Sequence, residues 1–191
     1  WSSDVCSSDL SILEDTINYI PPRVKIEISC LSMDEPTELR QIRSLIGESF
    51  DGEDRGAESL VRTVVPTRTF LEKLFLLAEE FQKEKPRSVR MSRHLYDLEK
   101  LMDTEYGLEA LSNRKLYDAI VEHRKTYYAL KYVNYDLHAP SSISFTIPKS
   151  VMDAWQDDYA DMRRFFIYGE SLEFDALMQK MRELQERVRV M

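Results

Sequence analysis

Glycine and proline are scarce in this chain, five and seven among 191 residues. So few turn signals cannot serve the many short strands of a sandwich or barrel, which excludes an all-β fold. Cysteine is scarcer still. Cys6 and Cys30 are too few for a disulfide scaffold and lack the paired spacing of a zinc site. The three histidines, His94, His123 and His138, share no helical metal spacing, so no structural zinc is expected. No apolar run reaches the roughly 18–20 residues of a bilayer-crossing helix, and no signal peptide opens the chain. A soluble, cytoplasmic protein without a membrane partner is the expectation.

Apolar residues make up 43% of the sequence, enough to bury a core over most of its length, and bulk disorder is excluded. Leu, Glu, Lys, Arg and Met are plentiful, so composition leans helical. The net charge of −8 does not decide on a nucleic-acid partner, since an acidic protein can still bind RNA through a local patch.

Residues 1–10, Trp-Ser-Ser-Asp-Val-Cys-Ser-Ser-Asp-Leu, are turn-like and low in complexity. They read as the in-frame translation of a sequencing adapter, to be set aside from fold reasoning. The native sequence is then expected to begin near Ser11, inside a longer protein. Without Asp4 and Asp9 the charge moves from −8 to −6, and Cys30 is the single native thiol.

From Arg23 to Cys30 apolar and polar residues alternate, with Val24, Ile26 and Ile28 on one face and Lys25 and Glu27 on the other. Alternation of this kind predicts a half-buried strand. Residues 31–38 read as a loop, 39–47 fit helix or strand, and Asp51–Gly56 is an exposed turn. Leu60–Val65 predicts a second strand that Pro66 ends. Beyond Pro66 the period becomes helical. Phe70, Leu74, Leu77 and Phe81 mark one apolar face of a helix, capped by Thr67 or Thr69 and ended by Lys85-Pro86. Met91, Leu95, Leu98 and Met102 form the stripe of a second helix, and Ser112 or Asn113 caps a third. Pro140 and Pro148 bracket an extended piece, Ile143–Ile147, before two amphipathic helices near 149–168 and 171–189. The expected class is α+β. Residues 11–66 form the tail of a β region and 67–191 a mostly helical part.

Two helices carry residues with chemical potential. Lys73 lies about 60° from the centre of its helix's apolar stripe, where an ammonium can reach into a cleft or simply snorkel to solvent. On the next helix Arg90, His94 and Asp97 share one stripe. Such a set can hold a phosphate or orient a proton-accepting carboxylate, and it can equally be a salt-bridge ladder. His123–Tyr135 interleaves basic and aromatic residues that could contact RNA or pack with wet hydroxyls.

Val65-Pro-Thr-Arg-Thr-Phe-Leu-Glu-Lys-Leu-Phe-Leu-Leu77, followed by Arg90-Met-Ser-Arg-His-Leu-Tyr-Asp-Leu98, resembles the AbiEii/AbiGii toxin family of nucleotidyltransferases from about Arg23 onward. The resemblance implies that the strands are the C-terminal remnant of a nucleotidyltransferase-like mixed sheet. It makes Lys73 the catalytic lysine and Asp97 the essential acid, with Arg93 and Tyr96 matching the motif's flanks. Simpler members read Arg-Asp-x-Tyr-Asp, whereas His94 follows Arg93 here. Arg68, Arg90, Arg93, His94 and Tyr96 are the expected substrate-binding residues. Glu27 is a candidate metal ligand, or else a charge on the solvent side of its strand. The implied activity is transfer of an NMP from an NTP, with Mg²⁺, to RNA, specifically tRNA. The implied setting is a type IV toxin–antitoxin or phage-defence system with a cognate antitoxin.

The superfamily's phosphate-gripping Gly-Ser turn and its Asp-x-Asp pair are absent. Gly47-Glu-Ser49 has no Asp-x-Asp after it, and Asp157, Asp158 and Asp161 read as a solvated helix face. The chain by itself is therefore expected to be inactive. The rival expectation is a non-catalytic helical interaction module whose Arg90, His94 and Asp97 form a surface ladder.

Overall fold

The computed structural model describes residues 37–50 and 58–191, together with the backbone of 3–9 and 23–28. Strand β1 (Ser3–Asp9) runs antiparallel to β2 (Arg23–Ile28), with a register irregularity between Val5 and Ser7. The alternating segment thus forms its expected strand as far as Ile28, and Ser29 and Cys30 lie outside the described residues. The opening segment, read as turn-like, is a strand instead. An antiparallel ladder is built from main-chain groups, so a serine-rich segment can complete one without an apolar pattern.

The ambiguous stretch contains one element of each kind. Strand β3 (Thr37–Arg43) pairs antiparallel with β4 (Glu58–Val64), and helix α1 (Leu45–Ser49) follows β3 directly. Ser44 Oγ accepts the Gly47 N–H at 2.9 Å, a side-chain cap that starts the helix. Gly47 and Ser49 therefore sit inside a short helix rather than in a phosphate-gripping turn. Thr37 and Glu38, read as loop, already belong to β3. Residues 31–36 and the Asp51–Gly56 turn lie outside the described residues. The class is α+β, and both described sheets are two-stranded and antiparallel where a mixed sheet was expected.

Helix α2 (Pro66–Glu80) follows β4 at once. Its N-cap is Val65 with Pro66 at N1, and neither Thr67 nor Thr69 caps it. Proline supplies the helical φ and lacks the N–H that a cap would have to satisfy. The helix also stops five residues short of Lys85. Glu80 accepts the Arg87 main-chain N–H at 2.8 Å and pairs with Lys83 and Arg87, which folds the chain back early.

α3 (Arg93–Leu101), α4 (Glu105–Ser112) and α5 (Arg114–His123) then follow. Of the two proposed caps for α5, Asn113 is the one used, its Oδ1 accepting the Leu116 N–H at 3.0 Å. α4 has no counterpart among the helices expected from the sequence. Gly107 lets it pack closely, since a Cβ there would lie 2.2 Å from the Leu101 carbonyl oxygen and 2.9 Å from Met102 Cα. α5 widens into a π turn, Arg124–Tyr128, closed by Ala129 at φ 44°. α6 (Met152–Phe165) and α7 (Phe174–Arg189) complete the fold close to their expected places.

α2 packs against α3, α4 and α5, and α3 also packs on α7. Phe70, Leu71, Leu74, Phe75 and Leu77 are fully buried, so α2 is covered on more sides than its single predicted stripe. Met91, Leu95, Leu98 and Met102 are buried as their spacing predicted, and Trp155 and Tyr159 bring α6 into the same core. Each such side chain contributes roughly 1.5–3 kcal/mol by leaving water. Among the described residues no helix is long and apolar enough to cross a membrane.

Candidate active site

The packing of α2 on α3 brings Lys73 and Asp97 together. Lys73 Nζ lies 2.6 Å from Asp97 Oδ2, with the two side chains 22% and 36% exposed. Lys73 is at the margin of the α2 stripe, as its position on the helix required, and its stem lies along the core edge while its charge meets the next helix. A partly exposed ion pair like this is worth on the order of 1 kcal/mol to stability, so its charges remain available to a stronger partner.

His94, one turn before Asp97, is buried at 8% exposure, and its Nδ1 has no hydrogen-bond partner. Burial lowers its pKa to about 4, helped by the charges of Lys73 and Arg93 and opposed by Asp97. The imidazole is thus neutral at pH 7 beside a charged lysine. Tyr96 is half-buried against the core with the Lys100 ammonium 5.4 Å from its ring centre, and Arg93 is exposed at the helix start.

Arg90 does not share a helical stripe with His94 and Asp97. α3 begins at Arg93, so Arg90 precedes the helix, in a left-handed conformation with φ 58°. Asp97 pairs across to α2 rather than along α3. What fixes this end of α3 is Asp158 of α6, which was read as part of a solvated face and is instead buried. It accepts the Arg90 N–H at 2.5 Å, the Ser92 N–H at 3.0 Å and the Ser92 hydroxyl at 2.5 Å. A carboxylate from another helix therefore satisfies donors at the α3 N-terminus, where negative charge is also favoured by the helix dipole. The sequence held a signal for this: Asp158 falls three residues after Trp155 and four before Met162, on the apolar side of α6.

A second charged cluster lies on another face of α2. Arg68 is 5% exposed and donates to Glu72 Oε1 at 2.9 Å. Arg124, equally buried, bonds Glu72 and grips both oxygens of Glu79, at 2.7 and 2.5 Å. Burial would raise the Glu79 carboxyl, but Arg124 outweighs it and holds the pKa below the ordinary value. Arg124 was a member of the basic and aromatic stretch considered for RNA. It is a structural ion, and Tyr128 covers it with a ring centre 4.6 Å away. Tyr127 and Tyr132 remain exposed, with Lys83 5.3 Å from the centre of the Tyr132 ring. Glu27 lies on β2 with its side chain outside the described residues. Among the described residues no three of His, Cys, Asp and Glu converge to hold a metal.

Residues 9–180 match the family model described as nucleotidyl transferase AbiEii toxin of type IV toxin–antitoxin systems. The chain belongs to the AbiEii family. No curated protein and no solved structure matches it. The AbiEii match runs from β1 into α7 and covers the Lys73–Asp97 pair, His94 and the Asp158 brace.

Proposed function

We propose that the parent of this AbiEii chain transfers an NMP from an NTP to a hydroxyl of RNA, with tRNA as the acceptor, and that Lys73 and Asp97 act at the reacting centre. The 2.6 Å contact between the two motif residues, contributed by separate helices, is the observation that carries the reading. An incoming triphosphate carries several negative charges and competes for the ammonium of Lys73 against one half-exposed carboxylate. Lys73 then neutralises charge on the phosphates, which grows as pyrophosphate departs. Asp97, released from its partner, accepts the proton of the attacking hydroxyl as the new P–O bond forms and the bond to pyrophosphate breaks. Neutral His94 stays a hydrogen-bonding group beside these charges, without adding a competing cation.

Mg²⁺ belongs to the proposal through the NTP, and Asp97 is a carboxylate that could reach it. The described residues do not by themselves make a metal site. The chemistry assigned above is therefore that of Lys73 and Asp97. The sequence has neither the Gly-Ser turn nor the Asp-x-Asp pair, so activity is assigned to the parent protein and not to this chain alone. Family membership supplies the expectation of an antitoxin as partner, and a cytoplasmic location belongs to the same reading.

The test is nucleotide incorporation into purified tRNA by the full-length parent protein. Lys73→Ala and Asp97→Ala should each lower the rate by about 10²–10⁴-fold, the range for losing an electrostatic stabiliser or a proton acceptor. Circular dichroism should stay at the parental level. Unchanged incorporation by either variant would remove these residues from the reaction.

A further inference from the structure

After the turn at Pro140, residues 143–147 lie outside any helix or sheet and bury every second side chain. Ile143, Phe145 and Ile147 sink into the core at 1%, 1% and 4% exposure, while Ser144 and Thr146 face outward. That two-residue period is the burial signature of a strand packed on one face. One edge is closed by a side chain. Gln185 of α7, itself buried, accepts the Phe145 N–H at 3.2 Å and donates to the Ile143 carbonyl at 2.7 Å. Its amide takes the place of a peptide group on a neighbouring strand.

Among the described residues the other edge is open. In an extended chain the N–H and C=O of successive residues point to opposite edges, so those of Ser144 and Thr146 point away from the Gln185 amide that bonds Ile143 and Phe145. Among the described residues, neither has a hydrogen-bond partner for these groups. Ser144 and Thr146 also line a groove of about 260 Å³ whose other wall includes Ala78 of α2 and Phe81 just after it, with Gln82 and Leu137. Among the described residues, none that lines the groove is charged.

We propose that this groove docks an extended, uncharged segment of a partner protein, which adds to the Ser144–Thr146 edge as a strand. A row of unpaired main-chain donors and acceptors is complementary to another peptide backbone, and alternate side chains of the incoming segment would meet Phe81 and Ala78. A nucleic-acid strand is disfavoured there because each of its phosphates calls for a cation that the walls lack. The site is separate from Lys73 and Asp97, and its occupation does not depend on the nucleotidyl-transfer reading.

The experiment is a selection of displayed uncharged octapeptides on the full chain, followed by titration of the synthetic winners and amide hydrogen exchange. Bound winners should protect the Ser144 and Thr146 amides. Methylating alternate peptide nitrogens should abolish binding, because it removes donors and keeps the side chains. Thr146→Pro deletes one N–H at an exposed, extended position and should weaken binding about tenfold, one charge-free hydrogen bond plus imperfect seating. If Thr146→Pro fails to fold, the methylated peptides on the unaltered chain decide the matter. Absence of enriched peptides, protection elsewhere on the chain, or binding indifferent to methylation would overturn the proposal. So would octaadenylate RNA protecting these same amides, or self-association of the chain in sedimentation with the amides already protected.

Discussion

Replacing Asp158 with alanine probes how the candidate site is held together. Its carboxylate accepts three hydrogen bonds from Arg90 and Ser92, at 2.5, 3.0 and 2.5 Å, in a buried position where α6 meets the start of α3. Hydrogen bonds to a charged group contribute roughly 1.5–3 kcal/mol each, and water entering the gap would recover part of the loss. The grip also steadies Arg90 in its left-handed conformation, which a non-glycine residue adopts at a cost. A net loss of about 4 kcal/mol follows, equal to a fall in Tm of about 10 °C for a chain of this size. Asp158→Asn should lose at least half as much, because its amide group turns a donor toward donors. Thermal unfolding by circular dichroism measures both. Amide exchange in α3 should accelerate more than in α5, since α3 loses its brace and α5 keeps its Asn113 cap. A Tm within 2 °C of the parent for Asp158→Ala, using the roughly 2–4 °C per kcal/mol expected here, would refute the assignment of Asp158 as the anchor of α3.

Acid should destabilise the protein through His94. Its folded pKa of about 4 lies below the ordinary value of 6.5, so the unfolded chain binds more protons between them. Stability is full above pH 6.5 and falls by up to about 3 kcal/mol toward pH 4; urea titrations of His94→Gln should show a flatter profile over that window, and an identical slope would exclude His94 as the source. Arg124→Met strands the buried carboxylate of Glu79 and should cost about 3–5 kcal/mol, read as a lower urea midpoint, with partial recovery in the double variant that also carries Glu79→Gln. Gly107→Ala drives a methyl into the Leu101 carbonyl and Met102 backbone, so a loss of roughly 1–3 kcal/mol in thermal unfolding is expected, and a neutral substitution would mean that α4 can shift away from α3.

Much of the fold was legible because the relevant signals are local. The period of Met91, Leu95, Leu98 and Met102 located α3, and Asn113 and the last two amphipathic stretches placed α5, α6 and α7 close to their observed positions. The reading failed where a distant group overrode the local one. Thr67 and Thr69 are good caps in isolation, yet Pro66 starts α2, and Glu80 ends it by bonding Arg87 across a turn. The period of α3 could not show that Arg90 lies before the helix, since the contact that fixes that turn comes from Asp158, far along the chain.

The sequence by itself determined which helices have an apolar side, and it put Lys73 at the margin of one and Asp97 on the next, because helical periodicity is written in neighbouring residues. Tertiary structure alone decided that the ammonium and the carboxylate meet at 2.6 Å, that Asp158 and Arg124 are buried ions rather than surface charges, and that the Gln185 amide of α7 bonds the backbone of Ile143 and Phe145. Those outcomes depend on which elements pack together, and a charge is kept inside a protein only when a partner from elsewhere in the chain arrives to meet it.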